Sequence, residues 1–296
     1  MEKTVLKSTF KRLLCTLIVL GVFCCVGIGI YYFSNIRYDI IYGIYDSWTG
    51  KTVDVTEEVS PDTVKVRVSE LEETDNIILT DYLILVNSEY RVDYDNIPTL
   101  TAFGGEIMIA DSVTEALSDL SQAVAEKFGT ELLYISGYRN KEAQAAVIEQ
   151  EPAVAAKLGA SEHETGLAVD IGIDGYKQRR FIISEVGKWV NENCWRYGFI
   201  IRYPYFARSE TGIAYEPWHL RYVGVPHAGI IKNERLTLEE YTESYFDATE
   251  SGFVSAYGYL VSHQVPVDGC LNVPATDGTV YVSYDNCGGF FIWCLE

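Results

Sequence analysis

"SEHETGLAVDIG", residues 161–172, puts a histidine, several acids and two glycines into twelve positions. His163 and Asp170 stand seven apart, and Gly166 between them permits a tight backbone path. A second short stretch, "YEPWHLRYVG" at 215–224, carries His219 with Glu216 three positions before it. The chain has only four histidines, so a third ligand is easily sought. Imidazole nitrogens and a carboxylate oxygen suit zinc, and His163, Asp170 and His219 would leave one coordination position open, as catalytic zinc sites do. Glu216 is then the candidate to take a proton from water activated there. The plainer reading of each stretch alone is a capped turn for the first and a core tryptophan, Trp218, for the second.

Around these stretches the pattern is that of an α+β domain. "DSVTEALSDLSQAVAEKFG" (111–129) spaces Val113, Leu117, Leu120, Val124 and Phe128 for a helix, with Asp111 or Ser112 as its cap and Gly129 as its end. "LLYISGYR" (132–139) reads as a buried strand and "NKEAQAAVIEQ" as a helix starting at Asn140. A further amphipathic helix is expected over 179–196, with Ile182, Val186, Trp189 and Val190 on one face. "GFIIRYP" and "YEPWHLRYVG" read as strands, and "VPHAGIIKN" and "LTLEEYTESYF" as closing helices. Beyond residue 247, turn signals such as "VDGC" and "TDGT" mark a small β-rich appendage over 247–296.

The N-terminus differs in kind. Residues 13–33, "LLCTLIVLGVFCCVGIGIYYF", hold 21 uncharged positions, enough to cross a bilayer as a helix. Lys3, Lys7, Lys11 and Arg12 precede it against the single acid Glu2, so residues 1–12 are expected in the cytoplasm and everything after the anchor outside. A cleaved signal would usually have a shorter apolar core and small residues at the cut. A lipoprotein cut before Cys24 would put the large Phe23 where a small residue is expected. Residues 34–78, polar and acidic with alternating pieces such as "TVKVRVSELEE", read as an extracytoplasmic stalk leading to a domain over 79–246.

The net charge of −19 argues against nucleic acid, since phosphate binding needs a basic surface. Seven cysteines form no CxxC pair, so a thiolate metal site is not indicated. One disulfide among Cys270, Cys287 and Cys294 is open by sequence, and the pairing is not fixed. Trp189, Trp195 and Trp218 read as core, and His227 and His263 as structural or surface residues.

With "SGYR" at 136–139 added, the three motifs in this order and spacing resemble the VanY-type D-alanyl-D-alanine carboxypeptidases of the LAS group of zinc peptidases. The resemblance runs from "DYLILVN" at 81 to "LTLEEY" at 236–241. It implies a small antiparallel sheet flanked by helices, one zinc ion held by His163, Asp170 and His219, and Glu216 as base. It also implies Arg139 at the scissile carbonyl, and Ser136, Gln144 and Ser161 as substrate contacts. Asn140 stands where the family often has Ser, and "LVNSEYRV" lacks the family's common lysine. The implied substrate is a peptidoglycan stem peptide ending in D-Ala-D-Ala, with a role in vancomycin resistance or in wall remodelling. The rivals are an L,D-carboxypeptidase on tetrapeptide stems, a non-catalytic wall-binding module, and a structural anchor.

Overall fold

The computed structural model describes residues 21–26, 56–95, 98–105, 107–152, 155–243, 245–248 and 252–296. The cytoplasmic tail, most of the expected anchor at 13–33 and the first part of the expected stalk lie outside these. Residues 21–26 are helical. No helix among the described residues is long and apolar enough to cross a membrane.

From Thr49 onward the chain forms one unit, in which α and β segments mix. Strands β1 (Glu57–Val59), β2 (Thr63–Arg67) and β3 (Ile77–Thr80) come first, then the hairpin of β4 (Leu100–Phe103) and β5 (Ile107–Ala110). Helix α1 (Thr114–Phe128), β6 (Leu133–Ser136), α2 (Lys141–Gln150), β7 (Ala168–Gly172), α3 (Glu185–Asn193), β8 (Phe199–Ile201) and β9 (His219–Tyr222) follow. Helices α4 (Val225–Glu234) and α5 (Leu238–Glu243) lead into β10 (Phe253–Ala256), β11 (Tyr259–Gln264), β12 (Cys270–Pro274), β13 (Val280–Tyr284) and β14 (Phe290–Leu295).

The sheet that matters for chemistry has the order β6-β7-β9-β8 and is antiparallel throughout. Val169 and Ile171 of β7 point into a core with Leu117, Leu120 and Val124 of α1 and Val186 and Val190 of α3. The period-two alternation of a strand then turns Asp170 to the opposite face.

Helix α1 starts and ends close to expectation, with Gly129 in the left-handed region. Its start is a 3-10 turn over Asp111–Val113, and no side chain caps it. The Asp111 carboxylate is instead occupied by the Thr101 hydroxyl. Asn140 caps α2 by accepting from the Ala143 amide at 2.8 Å. The strand expected to be buried at 132–139 is the edge strand β6, where Leu133 and Ile135 are 37% and 41% exposed. The single helix expected over 179–196 is three pieces: a 3-10 turn at Gln178–Ile183, α3, and a second 3-10 turn at Cys194–Tyr197. Ser184 makes the break by capping the Gly187 amide at 2.9 Å.

The expected stalk and C-terminal appendage are joined. β1 pairs with β10, β2 with β12, and β3 lies parallel to β13, so residues 57–80 supply strands to the C-terminal sheets. The larger of these has the order β1-β10-β11-β14-β13-β3. It shares a core with two helices: Ala228, Ile230 and Ile231 of α4 and Tyr241 of α5 pack with Val254, Val261, Phe291 and Trp293. Cys194, Cys270, Cys287 and Cys294 are free thiols, so none of the conceivable disulfides forms.

Candidate active site

A 3-10 turn at Glu162–Thr165 presents His163, and Gly166 ends it at φ +75. A Cβ on Gly166 would meet the Ala110 amide nitrogen at 3.0 Å, so both the backbone angle and the space call for glycine. The Glu164 carboxylate accepts from the amides of Gly159 and Ser161. The capped turn and the histidine site of the two rival readings therefore coexist. Thr165 closes the turn by donating its hydroxyl to the Glu162 carbonyl.

His163 Nδ1 donates to the Gly137 carbonyl at 2.8 Å, which turns Nε2 toward Asp170 Oδ2 at 3.4 Å. His219 Nδ1 lies 2.8 Å from Asp170 Oδ1. One ligand atom from each of His163, Asp170 and His219 falls within 4.8 Å of the others. Both imidazoles are buried, each 3% exposed. Two neutral nitrogens and a carboxylate converging in this way form a donor set suited to a divalent metal. The carbonyl behind His163 is the usual brace of such a ligand.

Burial and neighbouring charge compete at each of these groups. Burial alone would raise the Asp170 carboxyl, but the two imidazoles hold it well below the usual carboxylate range. Burial would lower His219, yet its contacts with Asp170 and Glu162 push it up to about 9. His163 is pushed down by burial. Glu216, half-buried on the cleft wall, is pushed up to about 7 by burial, which suits a group that accepts and returns protons near neutrality.

These residues line one cleft of about 190 Å³ together with Arg139, Gln144, Ser161, Tyr203 and Trp218. Arg139 donates from Nη2 to Ser161 Oγ at 3.3 Å, and its buried Nε has no hydrogen-bond partner among the described residues. Gln144 is fixed by its Nε2, which donates to the Ala156 carbonyl at 2.7 Å, while its buried Oε1 has no hydrogen-bond partner among the described residues. A donor and an acceptor left open beside His163, Asp170 and His219 are what a bound peptide would complete. Ser136 is set apart from the other expected contacts. It pairs in register with Asp170 across β6 and β7, but it does not line the cleft.

Sequence reasoning missed Glu162, which is fully enclosed and bound to Arg202 and Arg221. Its signal was present: a charged residue next to His163 inside a stretch that is otherwise buried. Tyr203, whose ring lies 5.1 Å from that of His219, was also missed. Trp218 belongs both to the core and to the cleft. His227 is buried structural packing, and His263 is paired with Asp285 at 2.7 Å, so neither belongs to the cluster.

The sequence profile of the VanY family, described as D-alanyl-D-alanine carboxypeptidase, matches residues 106–225. A "D-alanyl-D-alanine carboxypeptidase" of Enterococcus faecium is 32% identical over 237 residues, covering 74% of this chain and 77% of that protein. The chain belongs to the VanY family of D-alanyl-D-alanine carboxypeptidases. Among solved structures, "VanYB in complex with D-Alanine-D-Alanine" is 34% identical to this VanY-family chain. It has a TM-score of 0.50 and covers 55% of this chain and 98% of its own. The LdcB LD-carboxypeptidase, whose structure is described as revealing peptidoglycan recognition, is also 34% identical. Its TM-score is 0.51, with 63% of this chain and 97% of that one covered.

Proposed function

We propose that this chain is a zinc D,D-carboxypeptidase that removes the terminal D-alanine from peptidoglycan stem pentapeptides. The reading rests on one observation above all: His163, Asp170 and His219 converge within 4.8 Å in a cleft that also holds Glu216 and Arg139. The donor set suits zinc, and Glu216 stands outside it as a separate carboxylate.

Zinc at these three residues would supply Lewis acidity to the scissile carbonyl and to water. Arg139 aims its guanidinium into the cleft, where a fixed cation stabilises charge developing on the carbonyl oxygen. Gln144 Oε1 and Ser161 hold the incoming peptide. Glu216 takes the proton from the attacking water at its carboxylate and passes it to the departing amine. The C–N bond breaks, water is added across it, and D-alanine leaves with a shortened stem.

The apolar stretch at 13–33, with bases before it, would anchor the enzyme with its cleft outside the membrane. There it would meet its substrate, and trimming D-Ala-D-Ala termini would remove the target of glycopeptides such as vancomycin. The likeness to LdcB favours a second reading, an L,D-carboxypeptidase acting on tetrapeptides.

The test is D-alanine release by the full chain in detergent from a pentapeptide ending in D-Ala-D-Ala and from a tetrapeptide ending in one D-Ala. Chelator-sensitive release from the pentapeptide is expected. Release from the tetrapeptide alone would transfer the enzyme to the L,D class, and release from neither would reject both.

A further inference from the structure

Behind the metal cleft lies a closed set of buried charges. Glu162 Oε1 accepts from Arg202 Nε at 2.7 Å and from Arg221 Nη1 at 2.8 Å. Arg202 spends its two remaining nitrogens on Glu239 of α5, at 2.8 and 2.7 Å. Arg221 Nη2 donates to the carbonyls of Tyr82 and Ile84, and its Nε to that of Tyr222. Two guanidinium and two carboxylate groups neutralise one another, and both arginines have every nitrogen engaged.

One atom of the set is left over. Glu162 Oε2 is buried and has no hydrogen-bond partner among the described residues. Facing it at 3.9 Å is His219 Nε2, also buried and also unpaired. The gap is about 1 Å beyond a hydrogen bond. A buried acceptor and a buried donor left unpaired are each costly, and the cost is removed when they meet. The other nitrogen of His219 faces Asp170 in the metal cluster.

We propose that Glu162 is a positioning residue for the metal. Its Oε2 accepts the Nε2–H of His219, which fixes the tautomer whose free Nδ1 lone pair faces the ion. The two cluster histidines are then braced unequally: His163 by the neutral Gly137 carbonyl, His219 by a charged carboxylate that makes the imidazole a stronger donor. Two guanidinium groups donate to the other oxygen of Glu162, Oε1, which leaves Oε2 as the atom turned to His219. The inference rests on the reading of His219 as a metal ligand.

The first test compares Glu162→Gln with Glu239→Gln in the full chain, stripped by chelator and reloaded. Each substitution removes one negative charge from the buried set, and only Glu162 faces His219. Zinc affinity is expected to fall about 10–100-fold in Glu162→Gln. The cobalt-loaded variant should also show a shifted visible absorption band. Glu239→Gln should leave both unchanged while lowering thermal stability. Equal losses in the two variants, or full affinity in Glu162→Gln, would overturn the proposal.

A second measurement needs no folded variant. In the 15N-histidine spectrum of the chain loaded with 113Cd, His219 should show cadmium coupling at Nδ1 and an exchange-protected proton on Nε2. Coupling at Nδ1 with a freely exchanging Nε2 proton overturns the role of Glu162 alone. Absence of coupling to any histidine removes the metal reading itself, and the proposal with it.

Discussion

Asp170 and His219 are direct cross-strand partners in the antiparallel pair β7 and β9, and their side chains meet at 2.8 Å. The register of two strands therefore sets the spacing of two metal-ligand candidates. A slip of one residue in either strand would turn its side chain to the opposite face and part the pair. His163 joins them from a turn whose carbonyl also receives the Arg139 amide, at 3.0 Å. The third ligand candidate and the cleft's cation are tied by one backbone hydrogen bond.

Asp170→Asn preserves the shape of this arrangement and removes its negative charge. Zinc affinity should fall by at least about 100-fold, with D-alanine release falling in parallel. Metal content after dialysis against a buffered zinc standard checks it, and a variant that retains its metal would contradict the ligand assignment.

Glu216→Gln should separate proton transfer from metal binding, because Glu216 lies in the cleft but outside the cluster. The expected result is a loss in kcat of about 10²–10⁴ with the metal still in place. Metal analysis and turnover on one sample suffice, and loss of the metal along with turnover would make Glu216 a ligand instead.

Arg139→Ala removes a cation whose buried Nε has no hydrogen-bond partner among the described residues. A group acting on the developing oxyanion should lower kcat about 10²–10³-fold with a smaller change in KM. A large rise in KM at unchanged kcat would make Arg139 a ground-state binding residue.

The convergence of His163, Asp170 and His219 was legible because metal chemistry admits few residue types and both motifs carry them openly. α1 and the Asn140 cap were legible because each is decided within a few residues. The features that escaped depend on distance. Glu162 finds its partners at Arg202 and Arg221, and β1–β3 find theirs some two hundred residues on; local periodicity carries no trace of either. The alternating "TVKVR" reads as stalk for this reason. The break at Ser184 escaped because a 3-10 turn and an α-helix put nearly the same residues on one face.

That break yields a prediction. A Cβ on Gly187 would stand 1.9 Å from the Phe181 carbonyl oxygen, where the 3-10 turn folds back on the first turn of α3. Backbone cannot yield as a flexible side chain can. Gly187→Ala should therefore destabilise the fold by about 1–3 kcal/mol, although alanine is the better helix former. A single uninterrupted helix over 179–196 would instead be stabilised by the same change, so the sign of the shift in urea midpoint decides.

His227 couples the peptidase helices to the C-terminal sheet. It sits on α4, fully buried, with Nδ1 at 2.8 Å from the Tyr241 hydroxyl and its ring edge-on to Trp293 at 4.6 Å. Burial pushes it from its ordinary 6.5 down to about 3. The unfolded chain therefore takes up a proton before the folded one does as pH falls through 6.5. Stability from this residue is complete above that pH and is lost progressively toward pH 3. Between pH 7 and pH 5 the loss should be about 2 kcal/mol, and His227→Gln should show correspondingly less change than the parent over that interval. Urea unfolding of both at the two pH values measures it; equal pH dependence in parent and variant would mean that His227 is not the group that carries the effect.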